Sequence, residues 1–143
     1  MKGIYKYKVL KEQKLIIAFH KNIVTIKELK LVRALIMNDK DVDPSFKILI
    51  DLRSAKFDIT IEEMSNYGKW LSKNTELKQS SPKIILTNTP NQVVYSTIFS
   101  RTMGINEFGY SVYSSLYDSL VFLQIDKKDF KIVKEQLERI IED

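Results

Sequence analysis

The sequence predicts an α/β fold, a mixed and mostly parallel sheet that begins with an antiparallel hairpin and is covered by helices. Three observations carry this. After the first two strand-like segments, helical and strand-like segments alternate along the chain, the order that parallel strands joined by helical crossovers produce. KILIDL at 47–52 and KIILTN at 83–88 are continuous apolar runs, the pattern of strands covered on both faces. At the start, Tyr5, Tyr7 and Val9 alternate with Lys6 and Lys8, the period of two that marks a strand wet on one face.

In chain order, the alternating first strand meets a short polar break at Glu12 and Gln13, and LIIAF at 15–19 returns as a more deeply buried strand, so the two form a hairpin. TIKELKLVRALIMN at 25–38 is rich in helix formers, with Leu29, Val32 and Ile36 on one side; the acidic stretch 38–44 ends it, and Pro44 biases Asp43 away from helical geometry. KILIDL is the third strand. A second helix runs from about Thr60 to Ser72, with Met64, Tyr67, Gly68 and Leu71 at helical spacing. Ser80, Ser81 and Pro82 form a loop before the fourth strand, and Thr89 and Pro90 open a third helix that Gly104 can stop. GYSVYSS at 109–115 reads as a short strand, SLYDSLVFL as a fourth helix, and 126–143 as an added C-terminal helix on a single domain spanning 1–143. In that last helix Phe130, Val133, Leu137, Ile140 and Ile141 form an apolar stripe that should pack on the domain or on a second copy.

Composition narrows the chemistry. With 143 residues, 44% apolar and 29% charged, the chain is long enough to bury a real core and ordinary for a globular protein. No cysteine is present, which removes disulfides, thiolate nucleophiles and cysteine metal sites. No apolar run approaches the ~20 residues that cross a bilayer, and the start lacks an unbroken apolar stretch before a small-residue cleavage site; a cytoplasmic protein without a transmembrane segment is expected. The formal charge of +5 is uneven: residues 1–33 hold nine basic against two acidic side chains, a net of +7, and the remainder is −2. Lys6 and Lys8 on one strand, with Lys27, Lys30 and Arg33 along one helix side, read as solvated faces rather than a nucleic-acid or anionic-membrane patch, since net charge alone is weak evidence.

Enzyme signatures are sparse. The four glycines make neither GxGxxG nor GxxxxGK[ST], and no GxSxG elbow appears. His20, the single histidine, follows the second strand without a neighbouring His or Cys, so it reads as a loop or surface residue and no metal or cofactor is expected. The aromatic residues fall in apolar patterns and read as core. Asp51 and Arg53, two apart at the end of the third strand, and Asp58 beyond them, occupy the place where open α/β sheets bind ligands; a structural ion pair is the simpler reading of the first two.

The element order, with LIIAF…TIKEL, KILIDLR…FDITIEE, KIILTNTPNQ and VYSSLYDSLVFL, resembles the STAS family, especially its SpoIIAA-like branch, over nearly the whole chain. In the antagonist members of that family a serine within Asp-Ser-Ser-Gly, opening the helix after the third strand, is phosphorylated by a partner kinase. The matching stretch here is Asp58-Ile59-Thr60-Ile61, in which the aspartate and a hydroxyl are kept and isoleucines replace the first serine and the glycine. The residues themselves offer another role for Thr60. Thr60 with Glu63, Thr25 with Glu28 and Thr89 with Gln92 each fit a capping box, and Ser115 with Asp118 a looser version, so a hydroxyl opens four helices. The resemblance implies a non-enzymatic binding or regulatory module acting through contact with an unidentified protein partner, with Asp58 and Thr60 at its switch position. With Asp51 and Arg53 from the strand end these are the candidate binding or switch residues, and the stripe of the last helix makes a homodimer one form of contact. The alternative is a small-ligand or lipid-binding protein using an apolar cleft between sheet and helices, since STAS-like sheets resemble the CRAL-TRIO architecture; an enzyme working through Asp51, Arg53 and Asp58 is a third reading.

Overall fold

The computed structural model describes residues 2–74, 81–103 and 110–142. Five strands form one sheet in sequence order: β1 (Ile4–Leu10), β2 (Leu15–Val24), β3 (Lys47–Phe57), β4 (Lys83–Leu86) and β5 (Tyr110–Tyr113). β1 pairs antiparallel with β2, and every later pair is parallel. The helices are α1 (Ile26–Met37), α2 (Ile61–Lys73), α3 (Pro90–Met103), α4 (Leu116–Phe122) and α5 (Phe130–Glu142), the last preceded by a 3-10 turn at Lys127–Asp129. The hairpin turn closes through Lys14 N–H to Lys11 O, with Lys14 itself at positive φ. The expected stop at Gly104 and the start of the fifth strand at Gly109 lie outside the described residues.

Strand alternation sorts the core onto two faces. Leu15, Ile17 and Phe19 of β2, Leu49 of β3, and Ile84 and Leu86 of β4 meet Leu120 and Leu123 after and within α4 and Val133, Leu137 and Ile140 of α5. On the opposite face Ile16, Ala18, Ile48, Leu52 and Ile85 lie under α1, α2 and α3. The last helix therefore buries its stripe within its own chain, although Ile141 stays exposed. α2 and α3 approach so closely that a Cβ on Gly68 would sit 1.8 Å from Thr102 Oγ1, which is why only glycine fits there.

Two strands run further than their apolar runs suggest. β2 continues past Phe19 to Val24, and β3 past Leu52 to Phe57, because their ends pair with each other beyond the end of β4. Between Phe19↔Asp51 and Lys21↔Ser54 the register slips by one residue, a bulge on β3. His20 is thus corrected: it lies inside β2 and is 2% exposed, not in a loop or at the surface. Asp51 and Arg53 likewise sit at the bulge in mid-strand rather than at the strand's end.

The hydroxyl caps are present at all four helices. Thr60 makes both halves of its box: Glu63 N–H donates to Thr60 Oγ1 at 3.0 Å, and Thr60 N–H to Glu63 Oε1 at 2.9 Å. Thr89 and Gln92 exchange bonds of 3.2 and 3.3 Å, and Ser115 accepts from Asp118 N–H at 3.2 Å. The box expected at Thr25 is only half made. Glu28 N–H donates to Thr25 Oγ1 at 3.2 Å, but the Glu28 carboxylate turns to His20. A buried imidazole without a partner would cost more than an N–H that water can reach.

Candidate functional site

Of the residues singled out by sequence, the structure joins only Asp51 and Arg53. Both Asp51 oxygens are taken by Arg53, with Nε to Oδ1 at 3.0 Å and a terminal guanidinium nitrogen to Oδ2 at 2.9 Å, and the Arg53 backbone N–H, freed by the bulge, adds a third bond at 3.0 Å. The hydrogen bonding of the guanidinium to Asp51 holds the arginine's pKa above its ordinary value. The pair satisfies a buried carboxylate in place. Asp58 and Thr60 are exposed beyond β3, and none of the four lines the internal spaces described next.

Those spaces lie on the other side of the sheet, under α1, α2 and α3. Two cavities of about 50 Å3 each abut there, one toward α3 and one toward β2, and they share Leu29, Arg33, Ile50 and Tyr67 as walls. Arg33, expected on a solvated helix side with Lys27 and Lys30, is only 7% exposed. It sits four residues after Leu29 and three before Ile36, so the helix period points it at the sheet with them. Lys27 is exposed and Lys30 lies 4.5 Å above the Trp70 ring, so the presumed basic side is divided among three environments.

The guanidinium of Arg33 donates to the Tyr110 hydroxyl and also bonds that of Tyr67. Among the described residues no carboxylate pairs with it. Burial pushes Tyr67 up to about 12 and Tyr110 upward as well, so both hydroxyls keep their protons. Aromatic rings link this centre to the surface: Trp70 stacks near Tyr67 at 6.1 Å, Tyr67 near Phe99 at 5.3 Å, and Phe99 meets Tyr110 edge-on at 4.9 Å. Lys83, 1% exposed, donates to the Ser81 carbonyl at 2.8 Å and lies 5.1 Å from the Tyr110 ring. Burial, with repulsion from Arg33, lowers its pKa to about 7. His20 Nδ1 meets Glu28 Oε2 at 2.9 Å on the wall of the second cavity. Ser96 on α3, 2% exposed, lines the first cavity, and its Oγ has no hydrogen-bond partner among the described residues.

An open groove of about 330 Å3 between α1 and α2, lined by Ile26, Lys30, Glu63, Asn66, Tyr67 and Trp70, reaches the same Tyr67 that walls both cavities. A larger concavity of about 590 Å3 between β1 and α5 is open to solvent and exposes Lys8 and Arg139. Among the described residues no three His, Asp or Glu gather as a metal set, and no helix is long and apolar enough to cross a membrane. No family model matches the chain, and no curated protein matches it either. The class defined by fold and site is thus an α/β sheet protein with a charged, partly hollow core under three of its helices.

Sequence reasoning missed Arg33, Lys83 and Ser96. The signal for Arg33 was its place in the Leu29–Ile36 stripe; for Lys83, its position at the start of a run that alternation buries on both faces. Ser96 carries no pattern, because a serine in an apolar helix face reads equally as filler.

Proposed function

We propose that the chain is a non-enzymatic binding module that admits a small ligand between the sheet and α1–α3. The observation that carries this is the cavity holding Ser96 Oγ, a buried hydroxyl without a hydrogen-bond partner among the described residues. Buried polar atoms are nearly always hydrogen-bonded, and an exception calls for a ligand or water to complete it. The groove between α1 and α2 shares Tyr67 with both cavities, so movement of that ring would join them to the surface. Trp70 is the chain's only tryptophan and sits in that groove, so its emission is a built-in reporter. Titration with small amphipathic molecules of two to six heavy atoms should shift Trp70 emission and raise the melting temperature; no response across such a panel rejects the reading.

A STAS-like regulatory module working through protein contact is the second reading. It draws support from the element order and from α4, where Tyr117, Val121 and Phe122 are exposed. Thr60 and Asp58, both exposed, remain available to such a contact. If α4 mediates a homodimer, Val121→Asp should convert it to a monomer in light scattering; a wild-type chain that is monomeric at high concentration removes that form of the reading.

A further inference from the structure

The wall of the first cavity carries a buried guanidinium, Arg33, and a buried hydroxyl, Ser96 Oγ, that has no partner among the described residues. Arg33 has five N–H donors and no acceptor capacity, and two tyrosine oxygens account for part of it. Tyr67, on both walls, bonds Arg33. Among the described residues no acid pairs with Arg33, and desolvating a charge is repaid only by an opposite charge in good geometry. The ligand that fits such walls is an acceptor with one negative charge. Among the described residues, Arg33 is the only arginine or lysine on either cavity's wall, which matches a monoanion better than a phosphate dianion. The planar fork of arginine matches the two oxygens of a carboxylate. The remaining walls, among them Leu29, Ile50, Leu52 and Met64, are apolar and suit a short hydrocarbon chain.

Size sets the length. A cavity of 150 Å3 is known to hold a six-carbon ring, and each space here is about 50 Å3. At about 25 Å3 per heavy atom on that scale, one space holds about two heavy atoms, and the two merged, if Tyr67 or Leu29 shifts, about four, the size of acetate. We infer that this internal site binds a short-chain monocarboxylate, its carboxylate on Arg33 and the Ser96 hydroxyl and its chain among the apolar walls. The inference rests on the ligand-binding reading above and adds the chemical class.

The test compares acetate, propionate and butyrate with their uncharged amides of equal size at matched ionic strength, by calorimetry and Trp70 emission. Wild-type protein should bind acetate at least tenfold more tightly than acetamide, with affinity falling from acetate to butyrate as the chain outgrows the space. Arg33→Met, which keeps length and apolar volume, should remove that preference. Ser96→Ala should weaken carboxylate binding several-fold while keeping the preference. Equal affinity for carboxylate and amide in the wild type overturns the inference and leaves the cavity reading standing; no binding of either overturns both. Should Arg33→Met fail to fold, the wild-type ratio and Ser96→Ala decide the matter.

Discussion

The two faces of the sheet are built on different principles. Under α4 and α5 the buried cluster is largely hydrocarbon, its buried Ser119 is bonded back to the Ser115 carbonyl, and the charged pair at its edge, Asp51 with Arg53, is closed on itself. Under α1, α2 and α3 the same strands carry His20 and Lys83 inward, the helices add Arg33, Tyr67 and Ser96, and the packing leaves two cavities. The first face can be understood as area removed from water. The second gives up part of that gain to keep polar groups dry, and the polar groups are not fully used by one another. In this small α/β protein that asymmetry marks the candidate site more clearly than any motif in the chain.

The comparison can be broken most directly on the apolar face. Leu137, 1% exposed in α5, should cost about 3 kcal/mol when changed to alanine, through lost transfer energy and a new cavity; a loss under about 1 kcal/mol in urea unfolding would mean that α5 is only loosely attached. On the polar face Glu28→Ala should cost about 2 kcal/mol by leaving the buried His20 ring without its partner, and Glu28→Gln, which keeps a hydrogen-bonding side chain, should cost less.

Lys83 gives the polar face a pH signature that the other face lacks. Its folded pKa of about 7 lies below the 10.5 of a free lysine, so between those values the unfolded chain holds the extra proton. Removing protons then favours folding, and stability should rise with pH from about 7 toward 10, by at most about 1.4 kcal/mol per unit for one proton. Tyr67, raised to about 12, works the other way: its contribution is present below pH 10 and is lost as the pH climbs toward 12. Denaturant melts at pH 7.5 and 9.5 check the rise, and Lys83→Met should flatten it; a wild-type slope of zero would show Lys83 charged throughout.

The smallest effects concern the caps, and they sharpen a comparison within the polar face. Thr60→Ala, at a complete box, should cost about 1 kcal/mol, and Thr25→Ala, whose box lost Glu28 to His20, about 0.5 kcal/mol. Thermal melts of the two variants test the order. If Thr60→Ala is neutral, the cap account of that hydroxyl fails and the switch position implied by the STAS resemblance gains weight.

Local chemistry was enough for the sequence to determine the alternation of strands and helices, the antiparallel start, the four hydroxyl caps and the buried stripe of α5, since each depends on neighbours within a few residues. The lengths of β2 and β3 were not legible, because residues 22–24 and 54–57 are strands through pairing with one another across some thirty residues of chain, and His20 and Lys21 through pairing with β1. For the same reason His20 looked like a loop residue and Arg33 like a surface one: their side chains are buried by elements that sequence spacing cannot place. Asp51 and Arg53 were correctly read as a pair, being two residues apart. The site around Arg33 was decided by tertiary structure alone, for it brings together β2, α1, α2, α3 and β5 and exists only once α1, α2 and α3 settle on one face of the sheet.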